Sequence, residues 1–294
     1  MKKEQKTYQN PPIKILPYPE AIRLRPGMYT GSMDTRGFLH LLKGILYDAI
    51  TYYHSTSICI EMKDRQSIRL KFSAITQPIA NTWTDYRQDS FYSPFYIGLE
   101  TLNALSSNFD IQLLDASSNI ILQESFKEGV NLGETNATEQ LSCAEMEIEC
   151  SLDPSIWGSS FALNPTFISN EVKEFAYLNK SCSFEVKYLE DKKPCRVIYH
   201  FKNGLQDKLR LEQLNGLGKS LFETSINHSF EHFSLEIAFA FREYSVDEPI
   251  LKSYANNYYT HENGTHIDGL LKGLTYGVMR YFQKQQVTHY QYFV

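Results

Sequence analysis

The sequence predicts an α+β protein, on three observations. Segments of alternating apolar and polar residues come in pairs joined by short polar turns, the mark of antiparallel hairpins with one buried face. Other segments carry apolar residues at helical period. The two kinds intermix without a strict βαβ rhythm, as in layered α+β folds. At 294 residues the chain is about twice the usual domain size, which favours two domains.

Residues 1 to 18 are polar and punctuated by prolines, and read as an extended arm. A short helix over 20 to 25 follows, with Pro19 in its first turn and Pro26-Gly27 as its stop. A second helix, about 35 to 53, aligns Phe38, Leu42, Ile45, Ala49 and Tyr52 on one face, flanked by Leu39, Leu46 and Tyr53. That stripe is wide enough for a core helix.

Strand pairs are expected at 57 to 62 with 67 to 72, and at 109 to 114 with 120 to 126. Glu145 to Cys150 continues the alternation, acids outward and Met146, Ile148 and Cys150 inward. Asp153-Pro154 combines an acceptor cap with proline at the first helical position. A helix over 170 to 179 leads to strands near 183 to 188 and 195 to 201. The pattern then restarts with a helix from Gln206 to Leu214, a strand from Ser234 to Phe241 and a helix from Ile267 to Gln283. Thr265 and Asp268 have capping-box spacing at the head of that last helix.

A formal charge of −5 supplies no global attraction for nucleic acid, whose phosphates need clustered Lys and Arg. The basic knots Arg23/Arg25 and Lys192/Lys193/Arg196 read as solvated faces. Five cysteines without zinc or C-x-x-C spacing read as reduced structural thiols of a cytoplasmic protein. The N-terminus is too polar for a signal peptide and no window approaches 18 apolar residues, so no membrane role is expected. Twenty tyrosines suit either a binding surface or core and boundary sites.

His261 to His266 has one residue too many for the zinc motif His-Glu-x-x-His and is interrupted by Gly264, so it reads as a turn and helix cap. His228 and His232 have helical i, i+4 spacing and read as a surface pair. Gly269, Gly273 and Gly277 form a small-residue stripe, read as a face packed closely on a sheet.

Several landmarks fall in one order. They are Glu20-Ala-Ile-Arg-Leu-Arg-Pro-Gly-Met-Tyr-Thr-Gly-Ser32, Gly98-Leu-Glu-Thr-Leu-Asn-Ala-Leu-Ser106, Ile120 to Gly129, Phe175-Ala-Tyr-Leu-Asn179 and Asn256-Asn-Tyr-Tyr-Thr-His-Glu-Asn-Gly-Thr-His266. Together they resemble the ATP-hydrolysing component of type IIA DNA topoisomerases, the gyrase B and topoisomerase IV family. The resemblance implies a GHKL (Bergerat) α/β sandwich over residues 19 to 201, then a partial transducer domain over 202 to 294. It also implies an N-terminal arm, about Tyr8 to Pro17, of the kind that crosses to a second protomer.

The departures fall on the chemistry. The position matching the family's glutamate base is Gly44, and losing a positioned base typically removes roughly 10²- to 10⁴-fold in rate. Asp48 stands where the family's asparagine holds magnesium; a carboxylate can ligate that ion, but on this helix it reads as a solvated or capping acid. The adenine-reading Asp-x-Gly-x-Gly matches Phe72-Ser-Ala74-Ile-Thr76, so Phe72 replaces the aspartate that accepts from the adenine amino group. Tyr92 to Gly98 stands where a glycine-rich loop would cradle phosphates; only Gly98 is kept, with Phe95 and Tyr96 in the phosphate space. Met146 matches the threonine of the later Gly-Thr motif. The family's phosphate-sensing lysine and its Toprim and DNA-cleaving domains have no counterpart in the sequence.

The leading expectation is therefore a protein without cofactor that does not hydrolyse ATP. It would act through protein contacts, with itself or with a complete topoisomerase chain of this family. The alternative is an enzyme using ATP and Mg²⁺ with rearranged residues such as Asp48, Glu100 or Glu61. A third reading, another small ligand, requires a cavity between the 37 to 53 helix and residues 68 to 76.

Overall fold

In the computed structural model, which describes residues 16–76, 97–133, 143–214, 220–242, 250–262 and 264–285, the alternating segments pair as expected. The strands β1 (Ser57–Met62), β2 (Ser67–Ser73), β3 (Ser106–Leu114), β4 (Ile120–Lys127), β5 (Val130–Asn131), β6 (Glu145–Leu152), β7 (Ser183–Glu190) and β8 (Lys193–Tyr199) form one sheet in the order β5-β4-β3-β6-β2-β1-β7-β8. Its ladders are antiparallel except for β1 with β7, which run parallel.

Period-2 alternation gives this sheet two unlike faces. Ile58, Ile60, Ile68, Leu70, Phe72, Met146, Ile148 and Cys150 are buried on one. On the other, Arg69 reaches Glu149 at 2.8 Å, Lys71 reaches Glu147 at 3.0 Å and Lys63 also pairs with Glu149. These half-exposed pairs contribute little each, about 0.2–1 kcal/mol. They do keep the register, because a one-residue slip would turn the acids inward.

The apolar face is covered by α3 (Thr35–Thr51), α4 (Ile97–Ala104) and α6 (Pro165–Leu178), with α1 (Tyr18–Leu24) and α2 (Gly27–Thr30) beside them. Asp34 caps α3 by accepting from the Arg36 N–H at 2.9 Å and the Gly37 N–H at 3.3 Å. A Cβ on Gly37 would lie 1.8 Å from the Ser32 carbonyl oxygen, so only glycine fits that turn. Phe38, Leu41, Leu42, Ile45, Leu46 and Ala49 of α3 are buried in one continuous core with the sheet.

Two helix starts differ from expectation. The helix expected over 170 to 179 begins at Pro165, because Asn164 caps it by accepting from the Phe167 N–H at 3.1 Å. This is the same cap-then-proline logic that starts α5 (Pro154–Trp157), where Asp153 accepts from the Ser155 N–H at 2.8 Å. At the last helix, α8 (Thr265–Lys284), no side chain caps the start, so the Thr265/Asp268 box does not form.

The chain divides into two units, residues 1–216 with 224–239 and residues 217–223 with 240–294. The first holds the large sheet, its helices and α7 (Leu205–Glu212), whose buried Lys208 meets Glu174 at 2.6 Å and Glu212 at 3.3 Å. A hairpin of β9 (Ser220–Ser229) and β10 (Ser234–Arg242) follows. His228 lies on β9 and His232 in the turn, so their spacing is not helical. In the second unit β11 (Tyr254–Ala255) and β12 (Tyr258–Tyr259) pair across Asn256-Asn257, both at positive φ as a tight hairpin turn demands.

Of the α8 side chains only Ile267 is buried, and a Cβ at Gly269, Gly273 or Gly277 would meet nothing within 4 Å. The expected packing of that stripe on a sheet is therefore not what the structure shows. The tyrosines divide between both roles: Tyr53 and Tyr177 are buried, while Tyr276 and Tyr281 are exposed. No described helix is long and apolar enough to cross a membrane.

Candidate functional site

Gly44 and Asp48 lie one turn apart on α3. A Cβ on Gly44, the position expected to match the base, would meet nothing within 4 Å among the described residues. Asp48 is not the solvated or capping acid the sequence suggested. It lies mid-helix, 7% exposed, and burial pushes its carboxyl up to about 8. The reason is the width of the α3 apolar stripe, which takes this face inside. At neutral pH Asp48 is therefore mostly a neutral acid, a poor ligand for a hard cation.

Phe72 sits on β2, opposite Ile58 on one side and Met146 on the other. Ile58 in turn faces Phe184, and Met146 faces Leu113. Phe184, Ile58, Phe72, Met146 and Leu113 thus form one row across five strands, each 0–2% exposed. Phe72, expected at the adenine-reading aspartate, and Met146, expected at the threonine of the later Gly-Thr motif, are cross-strand neighbours in this row. Phe72 offers no acceptor to an exocyclic amine, and the Met146 thioether only a weak one. Just beyond, Ala74 has a φ of 56°, a left-handed conformation that costs roughly 1–2 kcal/mol for a residue with a Cβ. The backbone has kept a glycine shape at a place where the residue is alanine.

Gly98, at the head of α4, lies directly against α3. A Cβ there would be 2.9 Å from Ile45 Cγ1, 3.1 Å from Ile45 N and 3.4 Å from Gly44 C. The structure therefore brings Gly98 and Gly44 together, backbone against backbone. Tyr92 to Tyr96, with the expected Phe95 and Tyr96 plug, lie outside the described residues.

The three acids of the enzyme reading do not converge. Glu61 lies on the charged face of the sheet, 3.7 Å from Arg69, while α3 and α4 pack on the opposite face. Glu100 is on α4, both its oxygens shut off from solvent, and burial pushes its carboxyl up to about 8. Neither it nor Asp48 acts on the other's titration. Among the described residues no group of three His, Cys, Asp or Glu could hold a metal ion. Residues 68, 70 and 72, which would bound a ligand cavity, belong to the same buried cluster as Leu42, Ile45 and Leu46.

Arg23 is a functional-looking residue that sequence reasoning misplaced. It is no solvated charge: its guanidinium donates to the Ala104 carbonyl at 2.8 Å and to Asp153 Oδ2 at 2.6 Å, and lies 3.3 Å from Glu128. Those three acceptors, each more than 80 residues away in sequence, dock α1 onto α4 and the β6–α5 junction. Arg25 is exposed, as expected.

The same arrangement of sheet and helices recurs in known proteins. A family model described as DNA gyrase B matches residues 203–292. The gyrase B protein of Streptococcus pyogenes (serotype M18) is 24% identical over 310 residues, covering 97% of this chain and 47% of the relative. The B component of DNA topoisomerase 4 from Bacillus subtilis is 24% identical over 312 residues, covering 96% and 46%. Among solved structures, the 43K ATPase domain of Thermus thermophilus gyrase B, in complex with an aminocoumarin, superposes with a TM-score of 0.75 at 18% identity, covering 93% of this chain and 75% of that one. Gyrase B from Myxococcus xanthus gives 0.72, also at 18%, covering 87% and 76%.

Over nearly its whole length the chain is similar to gyrase B and topoisomerase IV B proteins. It has the mixed α/β fold of the gyrase B 43K ATPase domain, GHKL unit and transducer. It spans about half the length (47%) of the curated relatives it matches.

Proposed function

We propose that this chain is a gyrase B-like protein whose nucleotide site has become core, and that it acts through protein contacts. Its partner is a second copy of itself or a complete topoisomerase chain of the same family, in the cytoplasm. The single observation that supports this best is the row Phe184–Ile58–Phe72–Met146–Leu113. Replacing one adenine contact could be a drift; replacing both members of a cross-strand pair with side chains that pack on each other turns a recognition surface into interior. A buried polar group without a partner costs about 1–3 kcal/mol, so an adenine amino group placed there would have to bear that penalty.

The resident ATP and Mg²⁺ of the family do not fit the residues present. Gly44 has no proton acceptor, and Asp48 is predominantly protonated at neutral pH. The division into an arm (1–18), an ATPase-like domain (19–201) and a partial transducer-like domain (202–294) is part of the same proposal; the match over 203–292 supports its last boundary. Isothermal titration with a non-hydrolysable ATP analogue and Mg²⁺ tests the reading. No heat of binding is expected, and micromolar affinity would overturn it. The enzyme reading requires ATP turnover that is lost in Asp48→Ala, and no convergence of acids supports it.

A further inference from the structure

The helix α1 is docked on α4 at both ends. At one end Arg23 donates to the carbonyl of Ala104, the last residue of α4. At the other, the Tyr18 hydroxyl, itself sealed from solvent, faces Glu100 and Thr101 of α4. Pro19 closes the contact from below, where a Cβ on Gly129 would come within 2.7 Å of it and within 3.1 Å of Ala104 Cα.

Glu100 is the unusual member of this contact. Both its oxygens are without solvent access on a helix that packs against α1, α3, β3 and β4. The ionisable groups on those elements are Tyr18, Glu20 and Arg23 on α1, Arg36, His40, Lys43, Tyr47 and Asp48 on α3, Asp110 on β3, and Glu124 and Lys127 on β4. Of these only Tyr18 acts on Glu100; Tyr29 of α2 acts on Tyr18 in turn. Arg23 is committed to Ala104, Asp153 and Glu128. Among the described residues, therefore, no cation compensates a negative charge at Glu100.

We propose that Glu100 and Tyr18 form a proton-dependent latch that holds α1 on α4. With the carboxyl protonated, acid and phenol lie uncharged inside the contact, sealed from solvent. When the proton leaves, the anion faces only the Tyr18 phenol among the described residues, with no cation and no solvent at its oxygens, and the cheapest relief is for α1 to lift and let water in. Burial pushes the Glu100 carboxyl up to about 8, which places the transition just above neutrality. The latch depends on the fold alone and operates whether or not the chain binds nucleotide.

Amide hydrogen exchange of the full chain between pH 6.5 and 9.5, corrected for intrinsic base catalysis, reads the latch. The reporters are the α1 amides of Ala21 and Arg25, which donate to Pro17 and Ala21 carbonyls at 3.0 and 3.3 Å, with β2 amides as the internal control. Protection of α1 relative to β2 should fall by about tenfold per pH unit above pH 8. Glu100→Gln should abolish that fall and keep α1 protected at pH 9.5. Tyr18→Phe separates a latch from mere packing. The phenol favours the Glu100 anion, so its removal should move the midpoint to higher pH, whereas a packing defect would loosen α1 equally at every pH. Parallel behaviour of α1 and β2 in the parent protein, or a fall that persists in Glu100→Gln, would overturn the proposal. If circular dichroism shows Glu100→Gln unfolded, the Tyr18→Phe midpoint decides.

Discussion

Gly44→Ala and Gly98→Ala should move stability in opposite directions, although the two glycines touch. Gly44 is in the interior of α3, and its added Cβ would meet nothing within 4 Å. Only the backbone effect remains, so Gly44→Ala should stabilise by about 0.8–1 kcal/mol. Gly98 sits in the first turn of α4, where that gain is smaller. Its Cβ would be 2.9 Å from Ile45 Cγ1, well inside the roughly 3.5–4.0 Å optimum for carbon pairs. Ile45 is 2% exposed and cannot swing away, and the second contact, at 3.1 Å, is backbone nitrogen. Overpacking of this kind costs about 1–3 kcal/mol. Equilibrium urea unfolding should show the midpoint rising for Gly44→Ala and falling for Gly98→Ala, with unchanged m. A destabilised Gly44→Ala would mean that some group occupies the face of α3 where the base would stand. A neutral Gly98→Ala would mean that α4 does not approach α3 as described. Either result refutes the site geometry on which the functional reading depends.

Four further outcomes follow from the same structure. Gly44→Glu, which restores the family's base residue, should fold and still show no ATP turnover, because Phe72 and Met146 cannot hold adenine; phosphate release above background would refute this. Ala74→Gly should stabilise by about 1 kcal/mol in urea by relieving a left-handed alanine, and a loss of stability would contradict the φ assigned there. Arg23→Met should cost about 2–3 kcal/mol at pH 7, since it removes charged hydrogen bonds from Asp153 and the Ala104 carbonyl; a cost below about 0.5 kcal/mol would mark the contact as incidental. Asp48 and Glu100 have folded-state values raised to about 8, so each contributes stability that is complete below its unfolded value and lost as pH rises through about 8. Between roughly pH 4.5 and 8 the parent should lose up to about 1.4 kcal/mol per pH unit for each group, and Asp48→Asn should flatten that slope; an unchanged slope would show Asp48 to be hydrated.

Much of this fold was legible because it is written in local patterns. Alternation marked β1, β2, β3, β4 and β6, and the α3 stripe marked the core helix. Where reading failed, a local signal was weak or misjudged. The helix Pro165–Leu178 starts earlier than its apolar period indicates, because Asn164-Pro165 supplies a cap and first turn as Asp153-Pro154 does. The strand β9 was missed and its His228 assigned a helical spacing with His232, since Ser220–Ser229 mixes polar and apolar residues without clean alternation. The Thr265/Asp268 spacing fits a capping box, but the helix begins at Thr265 itself, one residue too early for that side chain to cap it.

The sequence names Gly44, Phe72 and Met146 as the residues at the expected nucleotide-site positions, because residue type is read directly and chemistry needs particular side chains. Their consequence was not visible. That Phe72 and Met146 pack on one another depends on β2 pairing with β6, more than 70 residues apart. That Asp48 and Glu100 are dehydrated, and that Arg23 is held by Ala104, Asp153 and Glu128, depends on which helix faces are covered. Period and propensity act over one or two turns of chain, so they specify elements and name the side chains they carry. Burial, pairing and ionisation state arise only when distant segments meet, and those are what only the tertiary structure decided.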